Sequence, residues 1–103
     1  KPLAPAWKLT LSSELLGLLT LTGTDFPWMT GKFAPALGFK RVKRLFREEL
    51  KALEAEDWDK FESTWDEIQR IGVRLKEPGR KKLHKEFLLH IEGTEAWWRC
   101  MEY

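Results

Sequence analysis

Cysteine is almost absent from this chain. Cys100 stands alone, so no intrachain disulfide can form, and a single thiol fits the reducing cytoplasm. Long apolar runs are absent too. A membrane-crossing helix needs ~20 apolar residues, whereas the most apolar stretch, Leu15 to Leu21, is interrupted by Gly17 and Thr20. No basic-then-apolar leader pattern opens the sequence. There is no Gly-rich phosphate loop, nucleophile elbow, zinc signature or calcium loop. His84 and His90 have neither Cys nor a carboxylate cluster beside them, which leaves a metal site without a ligand set. The expectation is a chain with no cofactor, no metal, no membrane and no catalytic constellation. Charge of one sign is not in excess either. The net charge is +2 with a pI near 8.8, too mild to argue for nucleic acid.

Aromatic residues, by contrast, are abundant. Six Trp and six Phe in 103 residues can build a sizeable core, since each buries roughly 150–250 Å². The length is that of a single domain, 1–103. Residues 1–6 (KPLAPA), with two prolines, read as an extended arm.

Alternation with period two predicts strands at Trp7–Leu11, around Leu19–Thr22, and at Trp28–Phe33. Gly31 within the third suggests a bulge or the close approach of another backbone. Val73–Lys76 is a further strand, followed by a Glu77-Pro78-Gly79-Arg80 turn. Gly93 at the first central position of a tight turn sets a C-terminal hairpin. In that register Ile91 pairs with Ala96, His90 with Trp97, and Leu89 with Trp98. Phe87, Leu89, Ile91, Ala96, Trp98 and Cys100 then share the core face, while Leu88, His90, Trp97 and Arg99 share the other.

Between the strands lies the one long helical stretch, Gly38 to Gly72. Val42, Leu45, Phe46, Leu50 and Leu53 form one apolar stripe, and Trp58, Phe61, Trp65 and Ile68 form another. At 3.6 residues per turn the two are out of phase by roughly 100°. The phase predicts two helices, about 38–55 and 58–71, with Asp57 as N-cap of the second and Gly72 at its C-terminal end. The fold class is therefore α+β: an antiparallel sheet of five or six strands with a two-helix segment packed on one face.

Five features invite a functional reading. Lys40, Lys43, Arg44, Arg47 and Lys51 share about 100° of the first helix, opposite its apolar stripe. Positive charge in the first half and negative charge at Glu54–Asp57 both oppose the helix dipole, and the basic residues stand four apart as like-charge pairs. This is an anion-binding candidate, for phosphate, nucleic acid or an acidic partner. The competing reading is a solvated face paired with acids such as Glu62, Asp66 or Glu67. Arg80-Lys81-Lys82 and Lys85 form a second basic cluster that folding could join to the first. Glu49 falls inside the apolar arc, as a functional carboxylate in a pocket, a rim residue or the partner of a buried Arg. Asp25-Phe26-Pro27-Trp28 reads as a loop stapled to the core by Phe26 and Trp28, with a recognition loop as the alternative. His90, beside Trp97 and Arg99, is either part of a polar–aromatic pocket or an exposed sheet-face histidine.

GTDFPWMTGKF (Gly23 to Phe33) and EFLLHIEGTEAWWR (Glu86 to Arg99) resemble a small bacterial family of hypothetical proteins without an established activity. With the helical middle the resemblance covers most of the chain. It implies a stand-alone bacterial domain and transfers no functional residue.

Taken together the sequence points to an interaction or self-association module. Asp25, Phe26, Trp28, His90, Trp97 and Arg99 are the partner-binding candidates, with a protein partner or a second copy as occupant. Polyanion or nucleic-acid binding through the first helix is one alternative. A small-ligand protein or enzyme with a pocket near Glu49 or His90 is the other.

Overall fold

The computed structural model describes residues 5–101. The expected arm falls largely outside them, and its last residue, Ala6, already belongs to a strand. β1 (Ala6–Leu11), β2 (Glu14–Asp25) and β3 (Trp28–Pro35) form an antiparallel meander. A 3₁₀ helix (Leu37–Arg41), α1 (Lys43–Glu54) and α2 (Trp58–Ile71) follow, and then β4 (Val73–Lys76), β5 (Leu83–His84), β6 (Phe87–Glu92) and β7 (Glu95–Cys100). All seven strands lie in one curled antiparallel sheet of order β5-β4-β1-β2-β3-β7-β6. The helical segment connects β3 to β4, which lie on opposite sides of β1 and β2. α1 packs against α2 and against the outer strand β6, while α2 reaches β4.

The expected α+β class is present, with one strand more than expected. β5 has only two residues, Leu83 and His84, paired with Lys76 and Leu75. A pair that short carries no alternation to read. It also places His84 on a different strand from His90. His84 is buried beside Trp7, with ring centroids 6.4 Å apart.

The C-terminal hairpin has the register that the Gly93 turn predicts, from Phe87↔Cys100 to Glu92↔Glu95. Gly93 has φ +62°, a conformation that favours glycine. The helix break lies at Ala55–Asp57, and Glu56 has φ +55°. The Asp57 side chain caps α2 by accepting from the Lys60 amide at 3.2 Å, and Gly72 ends α2 in the left-handed region. The first helix differs from expectation in starting as a 3₁₀ turn. No side chain caps it, and its opening turns contain no acid, so nothing there favours α geometry for the exposed amides. Gly38 is forced by contact: a Cβ there would lie 2.8 Å from the Leu15 carbonyl oxygen.

The core is aromatic, as the composition suggests. Trp7 meets Trp98 edge-on at 5.9 Å, and Trp65 meets Phe87 at 5.4 Å and Phe46 at 6.0 Å. Leu9, Leu19, Ile68, Leu75 and Leu89 are fully buried around them. Trp58 departs from its predicted stripe and is 55% exposed. It is the first residue of α2, before that helix has turned its apolar side inward.

Gly31 is a close backbone approach, as expected. A Cβ there would lie 2.0 Å from the Thr20 carbonyl oxygen and 3.0 Å from the Trp98 ring. Gly31→Ala is expected to cost at least about 2 kcal/mol. Gly79→Ala has open space around it and only a left-handed φ of +74° against it, for about 1 kcal/mol. Urea unfolding of both variants checks the order.

Candidate functional site

An apolar groove runs along α1, with a volume of about 940 Å³. One wall is the 3₁₀ helix and α1. The other is built from the end of β3 and the β6–β7 turn, which a Phe33 amide to Thr94 carbonyl bond of 2.8 Å fastens together. Phe33, Phe39, Phe46, Leu50 and Ile91 supply most of the apolar lining. Leu37, 86% exposed, stands at its mouth.

Lys40, Lys43, Arg47 and Lys51 line the same groove. Their spacing of three and four residues puts them in one row along the helix. None of the four forms an ion pair with a described residue. Arg44, the fifth basic candidate, is different. It turns to Glu48 at 3.2 Å, and Glu48 also meets Lys60 of α2 at 3.5 Å. The hydrogen bond from Arg44 and the Lys60 charge hold the Glu48 carboxyl below its ordinary pKa. The expected pairing of the basic face with acids of α2 does not occur. Glu67 instead pairs with Arg70 on its own helix, because i,i+3 neighbours reach each other at no cost in tertiary geometry. The one acid in the groove lining is Glu92.

The second basic cluster stays separate from this row. Arg80 meets Glu77 at 3.6 Å, and Lys85 lines a different, polar hollow with Asp66, Gln69, Arg70, Arg74 and Glu86. None of Arg80, Lys81, Lys82 and Lys85 lines the groove.

Behind the groove wall lies a buried polar cluster. Glu49 is 0% exposed and His90 2%. The Trp65 indole N–H donates to Glu49 Oε2 at 2.9 Å, and His90 Nδ1 lies 2.6 Å from the same oxygen. An ionised carboxylate only accepts, so with Glu49 ionised the proton of this contact sits on Nδ1. Glu49 Oε1 has no hydrogen-bond partner among the described residues. Three rings pack around the imidazole: Trp97 at 5.2 Å, Trp28 at 5.4 Å and Phe61 at 6.2 Å. Glu49 is therefore neither a rim residue nor the partner of a buried Arg. His90 is not an exposed sheet-face histidine, because both helices cover it: α1 through Glu49 and α2 through Phe61. Neither residue lines the groove, but their sequence neighbours Leu50 and Ile91 do.

The remaining candidates divide. Trp28 and Trp97 are half-buried and meet at His90. Asp25 is exposed at the end of β2, and Phe26 is 90% exposed at the β2–β3 tip, where the Phe26–Pro27 bond is cis. The expected staple is thus made by Trp28 alone. A two-residue connection between paired strands leaves Phe26 no surface to fold back on. Arg99 is half-buried opposite Leu88, and its Nε has no hydrogen-bond partner among the described residues. Reading the sequence missed Leu37 and Ile91 as groove residues. Leu37, flanked by Pro35 and Gly38, carried no periodicity, and Ile91 looked like plain core.

Among the described residues no group of His, Cys, Asp and Glu could hold a metal ion, and no helix is long and apolar enough to cross a membrane.

Removing the Glu49 carboxyl group leaves the buried Trp65 indole N–H and His90 Nδ1 without their partner. Glu49→Ala is expected to cost about 2–5 kcal/mol in urea unfolding. Glu49→Leu combined with His90→Phe is expected to recover most of that loss. A cost below about 1 kcal/mol for Glu49→Ala would show that the cluster holds nothing together.

No family model, curated protein or solved structure matches this chain.

Proposed function

We propose that this protein is a cytoplasmic interaction module, and that the groove along α1 takes an acidic protein segment carrying apolar side chains. One observation supports the reading above the others. Lys40, Lys43, Arg47 and Lys51 line an apolar groove and form no ion pair with a described residue. A solvated surface face has no need of an apolar trough beside it. A row of like charges four residues apart also weakens the helix that carries it. An acidic, apolar occupant answers both features: its apolar side chains cover the lining and its carboxylates meet the row.

The chemistry of the lining separates this reading from nucleic-acid binding. Bases are held by stacking on exposed aromatic faces. Leu37, Leu50, Ile91, Pro35 and Ala36 are aliphatic, Phe33 and Phe46 are buried, and the half-buried Phe39 packs its ring against those two at 4.9 and 6.1 Å. The volume lies within the usual range for binding sites, about 300–1,000 Å³, so no catalytic reading is needed to account for it.

Fluorescence anisotropy with three labelled probes tests the proposal. They are a Glu/Leu amphipathic peptide, a Glu/Ser peptide of equal charge and a single-stranded oligonucleotide. The Glu/Leu peptide is expected to bind at least about tenfold tighter than the other two and to weaken as salt is raised. Arg47→Glu with Lys51→Glu is expected to remove that binding while the melting temperature stays within a few degrees. Equal affinity for all three probes, or a variant with unchanged affinity, overturns the proposal.

A further inference from the structure

We infer that the occupant of the groove is the acidic corner between α1 and α2 of a second copy, so that two chains form a twofold dimer with their α1 helices antiparallel. This rests on the groove reading above and names its partner.

The corner has the chemistry that the groove lacks. Glu54, Glu56, Asp59 and Glu62 are all exposed, and none makes an ion pair with a described residue. In their midst Trp58 is 55% exposed, supported from behind by Phe61 at 5.8 Å in an edge-on contact. A large apolar side chain set among acids is complementary to an apolar trough set among cations. Trp and Tyr are the side chains most often found as buried anchors at interfaces.

The two surfaces cannot satisfy each other within one chain. Glu54 lies seven residues, or about two turns, beyond Arg47 on the same side of the helix, ~10 Å along the axis. Even Lys51, three residues from Glu54, does not pair with it. The helix therefore carries Lys43, Arg47 and Lys51 along its groove side and acids at its end, and apart from Arg44, which pairs with Glu48, none of these charges has an ionic partner among the described residues. Two such helices laid antiparallel bring the positive half of each against the negative end of the other. Both contacts form at once, which closes the assembly at two copies. The same arrangement gives a reason for charges that run against the helix dipole at both ends of α1. The order that destabilises one helix matches it to its own copy.

Among the described residues two other exposed apolar side chains have an acid beside them: Leu15, whose neighbour Glu14 already pairs with Arg41, and Phe26, with Asp25, at the β2–β3 tip. That tip offers one carboxylate against a row of four cations, so the corner is the better complement.

Sedimentation of the full chain at several concentrations tests the inference. At low salt the mass is expected to approach twice the 12.2 kDa of one chain and to fall to the monomer as salt is raised. Trp58→Ser and Lys43→Glu/Arg47→Glu are each expected to weaken dimerisation at least tenfold, whereas Phe26→Ser leaves it unchanged. Melting temperature confirms that each variant is folded. A chain carrying Lys43→Glu/Arg47→Glu together with Glu54→Lys/Asp59→Lys is expected to regain the dimer. A monomer at every concentration that still binds the Glu/Leu peptide overturns this inference and leaves the groove reading standing. A dimer that ignores both the Trp58 and the Lys43/Arg47 changes, or is lost on Phe26→Ser, also overturns it.

Discussion

Glu49 is a carboxylate with no exposure to water, held between two donors that belong to different parts of the fold. Trp65 comes from α2 and His90 from β6. Burying a charge is costly unless it is paired and hydrogen-bonded, so the carboxylate requires α1, α2 and β6 to stay together. It also requires an aromatic shell that excludes water, which Trp28, Phe61 and Trp97 supply around His90. The outer strand β6 is thereby covered by a helix, and a covered strand is protected from pairing with other chains.

The groove follows from that attachment. Leu50 and Ile91 adjoin Glu49 and His90 in sequence, and both line it. The polar cluster thus fixes the separation of the two walls, and the apolar lining fills the space beside it. The basic row is set on one of these walls. Its cations stand exposed along the trough, which turns a charged helix face into a candidate recognition surface. The acidic end of the same helix, with Trp58, lies beyond the trough.

Much of this was legible in the sequence where a local rule decides the structure. The Gly93 turn fixed the β6–β7 register, since a two-residue turn leaves no freedom in pairing. The phase shift between Leu53 and Trp58 located the helix break, and Asp57 the cap. Glu49 was visible as a carboxylate inside an apolar arc, but its partners were not. His90 and Trp65 lie 41 and 16 residues away, and no local pattern encodes contacts at that range. The same limit explains the errors at His90 and Trp58. Strand alternation assigns His90 to the outer face, but a helix laid over an outer strand buries that position too. Helical phase assigns Trp58 to the apolar stripe, but at the first residue of α2 the chain has just turned a corner. β5 escaped because two residues have no period.

Glu49 fastens α1 to β6. Native-state amide hydrogen exchange measures that attachment directly, comparing the unmodified chain with Glu49→Ala. In the unmodified chain the β6 and α1 amides are expected to exchange only through global unfolding. In Glu49→Ala they open together at lower free energy, while β1, β2 and β4 remain protected. Uniform loss of protection across all strands, or no change at β6, would contradict it.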